Sequence, residues 1–103
     1  RIGAMSFVGG TLKADKDVPP FTKALGNPLS WAGLNLKTLH KFSLSPESIE
    51  HLSRAYKYIY RANLTIEEAI HTLSQDFPND ESVAEIIAFF SRPLKGLIRP
   101  RRS

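Results

Sequence analysis

The second half of the chain carries apolar residues at helical spacing. Between residues 49 and 60 they recur at intervals of three and four, which is typical of an amphipathic helix. Ser45 suits the cap position, Pro46 the first helical position, and Glu47 complements the positive end of the helix dipole. The pattern therefore predicts a helix over residues 46–61.

Two further helices follow by the same logic. Thr65 and Glu68 have the spacing of a capping box and predict a helix over residues 66–75, after Asn63 closes the first one in a left-handed conformation. Asn79 or Asp80 caps a third helix, which Pro93 limits. Because the loops are short, we expect three antiparallel helices.

The first residues of the chain differ in composition from the helical part, because small and β-branched residues are frequent among them. Ile2-Gly3, Val8-Gly9 and Ala14 are spaced by six, a hexad that suits the last coil or coils of a left-handed parallel β-helix. An ordinary β-hairpin with Gly9-Gly10 as its turn is the alternative, and these residues leave both open.

Between these parts lies a segment punctuated by prolines. Two consecutive prolines within Val18–Phe21 impose an extended path, Gly26-Asn27-Pro28 is a turn signature, and leucines from residue 34 to 39 predict a short helix ending before Ser43. The predicted fold class is α+β. Its parts are residues 1–17, which form the end of a β-helix or a hairpin, a Pro/Gly-rich connector at residues 18–44, and a helical domain with a basic tail at residues 45–103.

Composition narrows the class of protein. With 103 residues and 42% apolar content, the chain is the size of one small domain or of a piece of a larger protein, and the absence of Cys excludes thiol and disulfide chemistry. No apolar run approaches the roughly twenty residues of a membrane span, and no signal peptide is visible, so we expect a cytoplasmic location. The start at Arg1, without an initiator Met, suggests that the beginning of a parent protein is missing.

Positive charge is concentrated at the start. The net charge is +4, and the first 42 residues hold six basic side chains against two acidic ones. A phosphorylated small molecule, an acidic protein and a nucleic acid are all plausible partners, as is a purely solubilising role for the charge. Lys13, Lys16, Lys23 and Lys41 are the cations we expect to attract such an anion.

No catalytic residue or metal ligand is predicted. His51 and His71 lie beside apolar helix stripes and are interpreted as surface or core-edge residues, whereas His40, next to Lys41, is a candidate for binding. No two histidines have the spacing of a metal site.

Nucleic acid is the weakest of the candidate partners. Tyr56, Tyr58 and Tyr60 could stack on bases, but helical spacing favours core packing with one exposed ring. The basic tail Arg99–Arg102 would bind any polyanion without specificity.

Several short segments follow one another in a characteristic order. They are Ile2-Gly3, Val8-Gly9-Gly10, Asp17-Val18-Pro19-Pro20-Phe21, Gly26-Asn27-Pro28, Gly33-Leu34-Asn35, Ala55-Tyr56-Lys57-Tyr58-Ile59-Tyr60-Arg61, Leu64-Thr65 and Lys95-Gly96-Leu97-Ile98-Arg99. This order resembles the C-terminal portion of one family, the UDP-N-acetylglucosamine O-acyltransferases. The resemblance covers nearly the whole chain, and the Ala-Tyr-Lys-x-Ile-Tyr-Arg helix and the Gly-Leu-Ile-Arg close are its most specific parts.

The resemblance implies a cytoplasmic homotrimer of left-handed β-helices with helical C-terminal domains. It implies transfer of a 3-hydroxyacyl chain from acyl carrier protein to UDP-N-acetylglucosamine, the first step of lipid A biosynthesis, without a cofactor. The general-base His of the family lies in an earlier coil, and none of the three histidines here falls at the matching place. We therefore expect this chain to be inactive alone.

Site residues transfer only where the positions match. Asn35 matches a position in the nucleotide site of the family, and Lys41 keeps the charge of an Arg there, with His40 beside it. The usual acid is Lys37 here, and the second Arg of the usual pair is Phe42. Since Phe42 lacks the donors of an Arg, use of the usual substrate is in question, and a plain turn before Ser45 is the alternative.

Three functions therefore stay open. The first is the acyltransferase part, with Lys13, Lys16 and Lys23 attracting the carrier protein. The second is a non-catalytic helical interaction or assembly module. The third is a basic nucleic-acid-binding module.

Overall fold

The computed structural model describes residues 1–9, 16–26 and 30–100. In this part of the chain a small sheet precedes four helices, which confirms the α+β class. The elements are β1 (Phe7–Val8), β2 (Thr22–Leu25), β3 (Ser30–Leu34), α1 (Leu36–Lys41), α2 (Pro46–Tyr60), α3 (Ile66–Asp76) and α4 (Glu81–Phe90). None of the helices described is long and apolar enough to cross a membrane.

β1 pairs in parallel with β2. Phe7 lies opposite Lys23 and Val8 opposite Ala24, and an isolated parallel bridge joins Ile2 to Val18. Each of these pairs joins residues sixteen positions apart along the chain. A hairpin requires antiparallel neighbours, so this parallel pairing does not fit the hairpin interpretation. Gly10 and Ala14, on which the two interpretations also drew, lie outside the described residues.

β2 and β3 pair in antiparallel fashion within the segment predicted as a connector. Thr22 faces Leu34 and Ala24 faces Trp31, and this change of register is a bulge in β3. Gly33 sits at the bulge with φ +96°, a left-handed conformation that glycine adopts without steric cost. These two strands were not predicted from the sequence, because each is short and flanked by turn residues. Asn27 and Pro28 of the predicted turn lie outside the described residues.

The segment before β1 packs against the buried Pro20. A Cβ atom at Gly3 would lie 2.4 Å from the Pro20 nitrogen, closer than any real contact. The Gly3 N–H donates to the Val18 carbonyl at 2.7 Å, and the Phe21 N–H donates to the Ala4 carbonyl at 2.8 Å. Glycine at position 3 is therefore needed for the two segments to meet.

The three predicted helices begin where their caps place them. Ser45 Oγ accepts the Ser48 N–H at 3.0 Å, and Thr65 and Glu68 form both bonds of the capping box. Asp80 caps α4. Asn63 has the predicted left-handed conformation, with φ 57°. Helix boundaries agree with the prediction within one residue for α2 and α3.

The apolar faces of α2, α3 and α4 form the main core. A smaller cluster beneath the sheet joins Val18, Ala24 and Ile98. The fully buried aliphatic side chains of the main core are Leu39, Leu52, Leu73, Val83 and Ile86.

Tyr56 and Tyr60 connect α2 to the sheet and to the C-terminal tail. The Tyr56 hydroxyl donates to the Pro20 carbonyl at 2.5 Å, and the Tyr60 hydroxyl donates to the Ile98 carbonyl at 2.8 Å. The Trp31 ring centroid lies 5.8 Å from that of Tyr56 and 4.7 Å from that of Tyr60. Burial raises the pKa of both phenols, so both remain protonated donors. The core-packing interpretation is confirmed for these two rings, and Tyr58 is half-exposed.

Asp17 attaches the C-terminal tail to the first strands. Its carboxylate accepts the Gly96 N–H at 2.8 Å and a hydrogen bond from the backbone nitrogen of Arg1 at 2.5 Å. Its backbone N–H donates to the Gly96 carbonyl at 2.6 Å, and its carbonyl accepts the Ile98 N–H at 3.1 Å. Burial raises the pKa of Asp17, but the hydrogen bonds from the Arg1 nitrogen and the Gly96 N–H outweigh it, and the net pKa is lowered.

Replacing the Tyr56 hydroxyl tests the link between α2 and the sheet. Tyr56→Phe leaves the buried Pro20 carbonyl without its donor, and we expect the free energy of unfolding to fall by about 1–3 kcal/mol. Tyr58→Phe is the matched control, since the Tyr58 hydroxyl donates to Asp76 at the exposed surface, and should change stability by less than about 0.5 kcal/mol. Urea unfolding followed by circular dichroism measures both, and equal losses would contradict the assignment.

The Asp17 contacts predict a dependence of stability on pH. Because the folded-state pKa is lowered, the contribution of Asp17 is present above the unfolded pKa of about 3.9 and is lost as pH falls through the folded value. Asp17→Asn should therefore lower the free energy of unfolding by about 1–3 kcal/mol at pH 7. The difference from the parent chain should shrink below pH 4. A difference that stays constant from pH 7 to pH 2.5 would exclude this role for the carboxylate.

Candidate functional site

Asn35 lies at the junction between β3 and α1. It is buried, with 8% of its surface exposed. Its backbone N–H donates to the Phe21 carbonyl at 2.8 Å, and its Nδ2 donates to the Met5 carbonyl at 3.2 Å. The side chain makes no capping bond to α1, although Asn35 occupies the cap position. Asn35 therefore joins the first strand segment, the second one and the start of α1.

The two residues that hold Asn35 have unusual backbone conformations. Met5 has φ 55° and Phe21 has φ 65°. Left-handed conformations cost of order 1–3 kcal/mol for residues other than glycine, and they cluster at functional sites. Both carbonyls that accept from Asn35 belong to these residues. This pair could not be predicted from the sequence, because neither Met nor Phe is a residue type that signals a positive φ.

His40 and Lys41 lie in the last turn of α1. Both are exposed, and Lys41 is about 9 Å from Asn35 along the helix axis, at a rise of about 1.5 Å per residue. Cations in a last helical turn also interact favourably with the helix dipole. Phe42, which follows them, is 58% exposed. The structure places Asn35 and the His40-Lys41 pair at opposite ends of one short helix.

The lysines expected to attract the carrier protein are spread over the first strands. Lys16 is exposed next to the buried Asp17, and Lys23 is half-exposed in β2 opposite Phe7. Within the described part of the chain neither lysine forms an ion pair. Lys13 lies outside the described residues.

The other histidines have structural surroundings. His51 Nδ1 lies 2.6 Å from Asp80 Oδ2, and the His51 ring packs 4.4 Å from that of Phe77. The second Asp80 oxygen accepts the N–H groups that begin α4. His51 therefore ties α2 to the start of α4 at the core edge, as predicted, and His71 is exposed. In residues 1–9, 16–26 and 30–100, no His, Asp or Glu cluster could hold a metal ion.

Comparison with known proteins decides the family. Residues 17–98 match the family model described as UDP N-acetylglucosamine O-acyltransferase, domain 2. The chain belongs to the UDP-N-acetylglucosamine O-acyltransferase family. The resemblance found in the sequence is confirmed by this match, which spans most of the chain.

Individual relatives of this family agree over nearly the whole chain. An acyl-(acyl-carrier-protein)-UDP-N-acetylglucosamine O-acyltransferase from Anaeromyxobacter sp. is 35% identical over 99 residues, which is 96% of this chain and 38% of the relative. One with the same name from Burkholderia mallei is 35% identical over 103 residues, covering 96% and 39%. The chain therefore spans about two fifths of the length of these acyltransferases.

A solved structure of the family has the same fold in this region. The crystal structure of a UDP-N-acetylglucosamine acyltransferase from Bacteroides fragilis superposes with a TM-score of 0.86 at 28% identity. The match covers 96% of this chain and 39% of that one. The sheet, the bulge before Asn35 and the helices thus lie in a fold shared with this acyltransferase.

The contact between Asn35 and Met5 can be tested through stability. Asn35→Ala removes the donor to the Met5 carbonyl and should lower the free energy of unfolding by about 0.5–1.5 kcal/mol. Asn35→Asp places a carboxylate against that carbonyl, so it should be more damaging at pH 7 and should recover as the acid becomes protonated at lower pH. Asn79→Ala, at an exposed position, is the control. Chemical unfolding at pH 7 and pH 4 measures these effects, and an Asp variant without recovery would contradict the contact.

Proposed function

We propose that the chain is the C-terminal part of an acyltransferase that moves a 3-hydroxyacyl chain from acyl carrier protein to UDP-N-acetylglucosamine. This is the first step of lipid A biosynthesis and takes place in the cytoplasm. The observation that carries the proposal is the match over 96% of the chain to relatives whose names give this carrier and this sugar nucleotide. The fold shared with the Bacteroides fragilis enzyme supports it.

Residues 1–17 form the end of a left-handed β-helix in this proposal. The constant spacing of the parallel pairs supports it, because stacked coils of a solenoid bring residues together at a fixed interval. β1 is an edge strand of the described sheet, its residue Phe7 is 51% exposed, and Ile2, which precedes β1, is 54% exposed. Exposed apolar side chains at a sheet edge suit packing against a further coil or a neighbouring subunit. This edge supports a role in assembling a homotrimer.

Asn35, His40 and Lys41 contribute to binding the sugar nucleotide. Asn35 is fixed by the Met5 and Phe21 carbonyls, which gives its side chain a defined position. His40 and Lys41 offer exposed donors to an anionic group at the other end of α1. The residues that differ from the family, Lys37 and Phe42, alter the surroundings of this site and its preference among sugar nucleotides.

Lys13, Lys16 and Lys23 contribute to binding the acyl carrier protein. Lys16 and Lys23 are accessible cations near the sheet, and an acidic carrier would be steered toward them electrostatically. No residue of this chain serves as the general base in this proposal. The proton of the sugar hydroxyl is taken by a His from the earlier coils, so the chain alone does not transfer the acyl group.

A non-catalytic assembly module is the second candidate function. The differences at Lys37 and Phe42 favour it, because they remove an acid and a guanidinium from the nucleotide site of the family. Nucleic-acid binding ranks third. Tyr56 and Tyr60, which would have served as stacking platforms, have their hydroxyls bonded to the sheet and tail.

Binding of acyl carrier protein tests the proposed function. Isothermal titration of the 103-residue chain with 3-hydroxyacyl carrier protein should show binding that weakens between 50 and 300 mM NaCl, because the contact is electrostatic. The double variant Lys16→Gln/Lys23→Gln should bind about five-fold more weakly or worse, whereas Lys95→Gln, an exposed cation in the tail, should leave the affinity unchanged. An affinity that does not depend on the NaCl concentration, or the absence of binding, would count against the role in binding the carrier protein.

The same samples separate the first two candidate functions. Light scattering over a concentration series reports whether the chain forms a trimer, and titration with UDP-N-acetylglucosamine reports the nucleotide site. A trimer that binds the nucleotide supports the acyltransferase part. A trimer that binds neither ligand supports the assembly module.

A further inference from the structure

A groove separate from Asn35 lies between β3 and α2. Its volume is about 370 Å³. Trp31, Leu34, Leu36 and the ring of Tyr56 form apolar walls, and Leu36 is 46% exposed. A large apolar side chain held open to solvent beside a concave surface is typical of a binding site.

Two cations border this groove. Lys57 lies in the last turn of α2, Arg61 is the cap residue that follows α2, and both line the groove. Among the described residues, neither is paired with a carboxylate. A favourable interaction with the helix dipole would explain why cations lie at the C-terminal end of α2. It does not explain the apolar walls of the groove beside Lys57 and Arg61.

The indole of Trp31 is the third feature of the groove that points to a ligand. Its indole Nε1 is buried and has no hydrogen-bond partner among the described residues. A buried donor without an acceptor costs about 1–3 kcal/mol, and a buried Trp usually finds a partner for its N–H. An acceptor atom of a bound molecule would satisfy this donor.

We propose that the groove binds a small amphiphile that has an anionic head group on a short apolar chain. Lys57 and Arg61 hold the head group, the apolar walls cover the chain, and an oxygen of the ligand accepts from the Trp31 indole. The volume is near the lower end for small-molecule pockets, which favours a short chain over a folded protein partner. The inference stands apart from the proposed function, since none of these residues belongs to the nucleotide or carrier sites.

Trp31 is the only tryptophan of the chain, so its fluorescence reports on the groove directly. Titration of the 103-residue chain with octanoate should give a saturable change in emission. In Lys57→Gln/Arg61→Gln the dissociation constant should rise about ten-fold, because both charge-assisted contacts are lost. Lys95→Gln is the matched control and should bind as the parent chain does. Both substituted positions are exposed, so we expect the variants to keep their helices. Circular dichroism verifies this.

Two further ligands test which head group the groove prefers. Octyl phosphate binding with equal or higher affinity than octanoate supports the proposal and assigns the head group to phosphate. Octanol, which has the same chain without a charge, should bind at least about ten-fold more weakly. Equal affinity for octanol, an unchanged affinity in the double variant, or no saturable change with either anion would overturn the proposal.

The indole resonance gives an independent measurement. In a nitrogen-proton correlation spectrum the single Trp31 indole N–H should shift on addition of octanoate as it gains an acceptor. An emission change with an unmoved indole resonance would overturn the role assigned to this donor.

Discussion

The buried hydrogen bond from the Tyr56 hydroxyl to the Pro20 carbonyl is the constraint on which the relation between helices and sheet depends. α2 contributes Tyr56 to the main core and, through the same side chain, reaches the strand segment that precedes β2. Tyr60 makes the equivalent contact with the tail at Ile98. Among the described residues the Arg1 side chain makes a further directional contact, since its guanidinium donates to the Phe89 carbonyl of α4 at 2.7 Å. Apolar packing alone would set a distance between the bundle and the strand segments but not a register.

The position of the candidate nucleotide residue follows from this bond. Pro20 precedes Phe21, whose left-handed backbone directs its carbonyl to the Asn35 N–H. Gly3 packs directly on Pro20, and two residues later Met5 presents the carbonyl that accepts from the Asn35 side chain. A change at Tyr56 can therefore affect Asn35 by two routes, one through Pro20 and Phe21 and the other through Pro20, Gly3 and Met5.

Trp31 belongs to both the core and the groove. One set of its contacts is with the Tyr56 and Tyr60 rings, and it also forms part of the wall beside Lys57 and Arg61. The bulge at Gly33 lies between Trp31 and Asn35, and Leu34 and Leu36, which line the groove, flank Asn35 in the chain. The two proposed sites thus adjoin at the end of β3 while using different side chains.

The sequence by itself determined the helices, because their signals are local. Ser45, Thr65 and Asp80 each bond to backbone groups two or three residues away, so the pattern of residue types contains the whole interaction. The family and the choice of Asn35 could also be read from ordered motifs. Only the tertiary structure decided the parallel pairing, the attachment of the tail by Asp17 and the groove at Trp31. These depend on contacts between residues far apart in the chain, and the left-handed backbone of Met5 and Phe21 is stabilised by such contacts rather than by residue type.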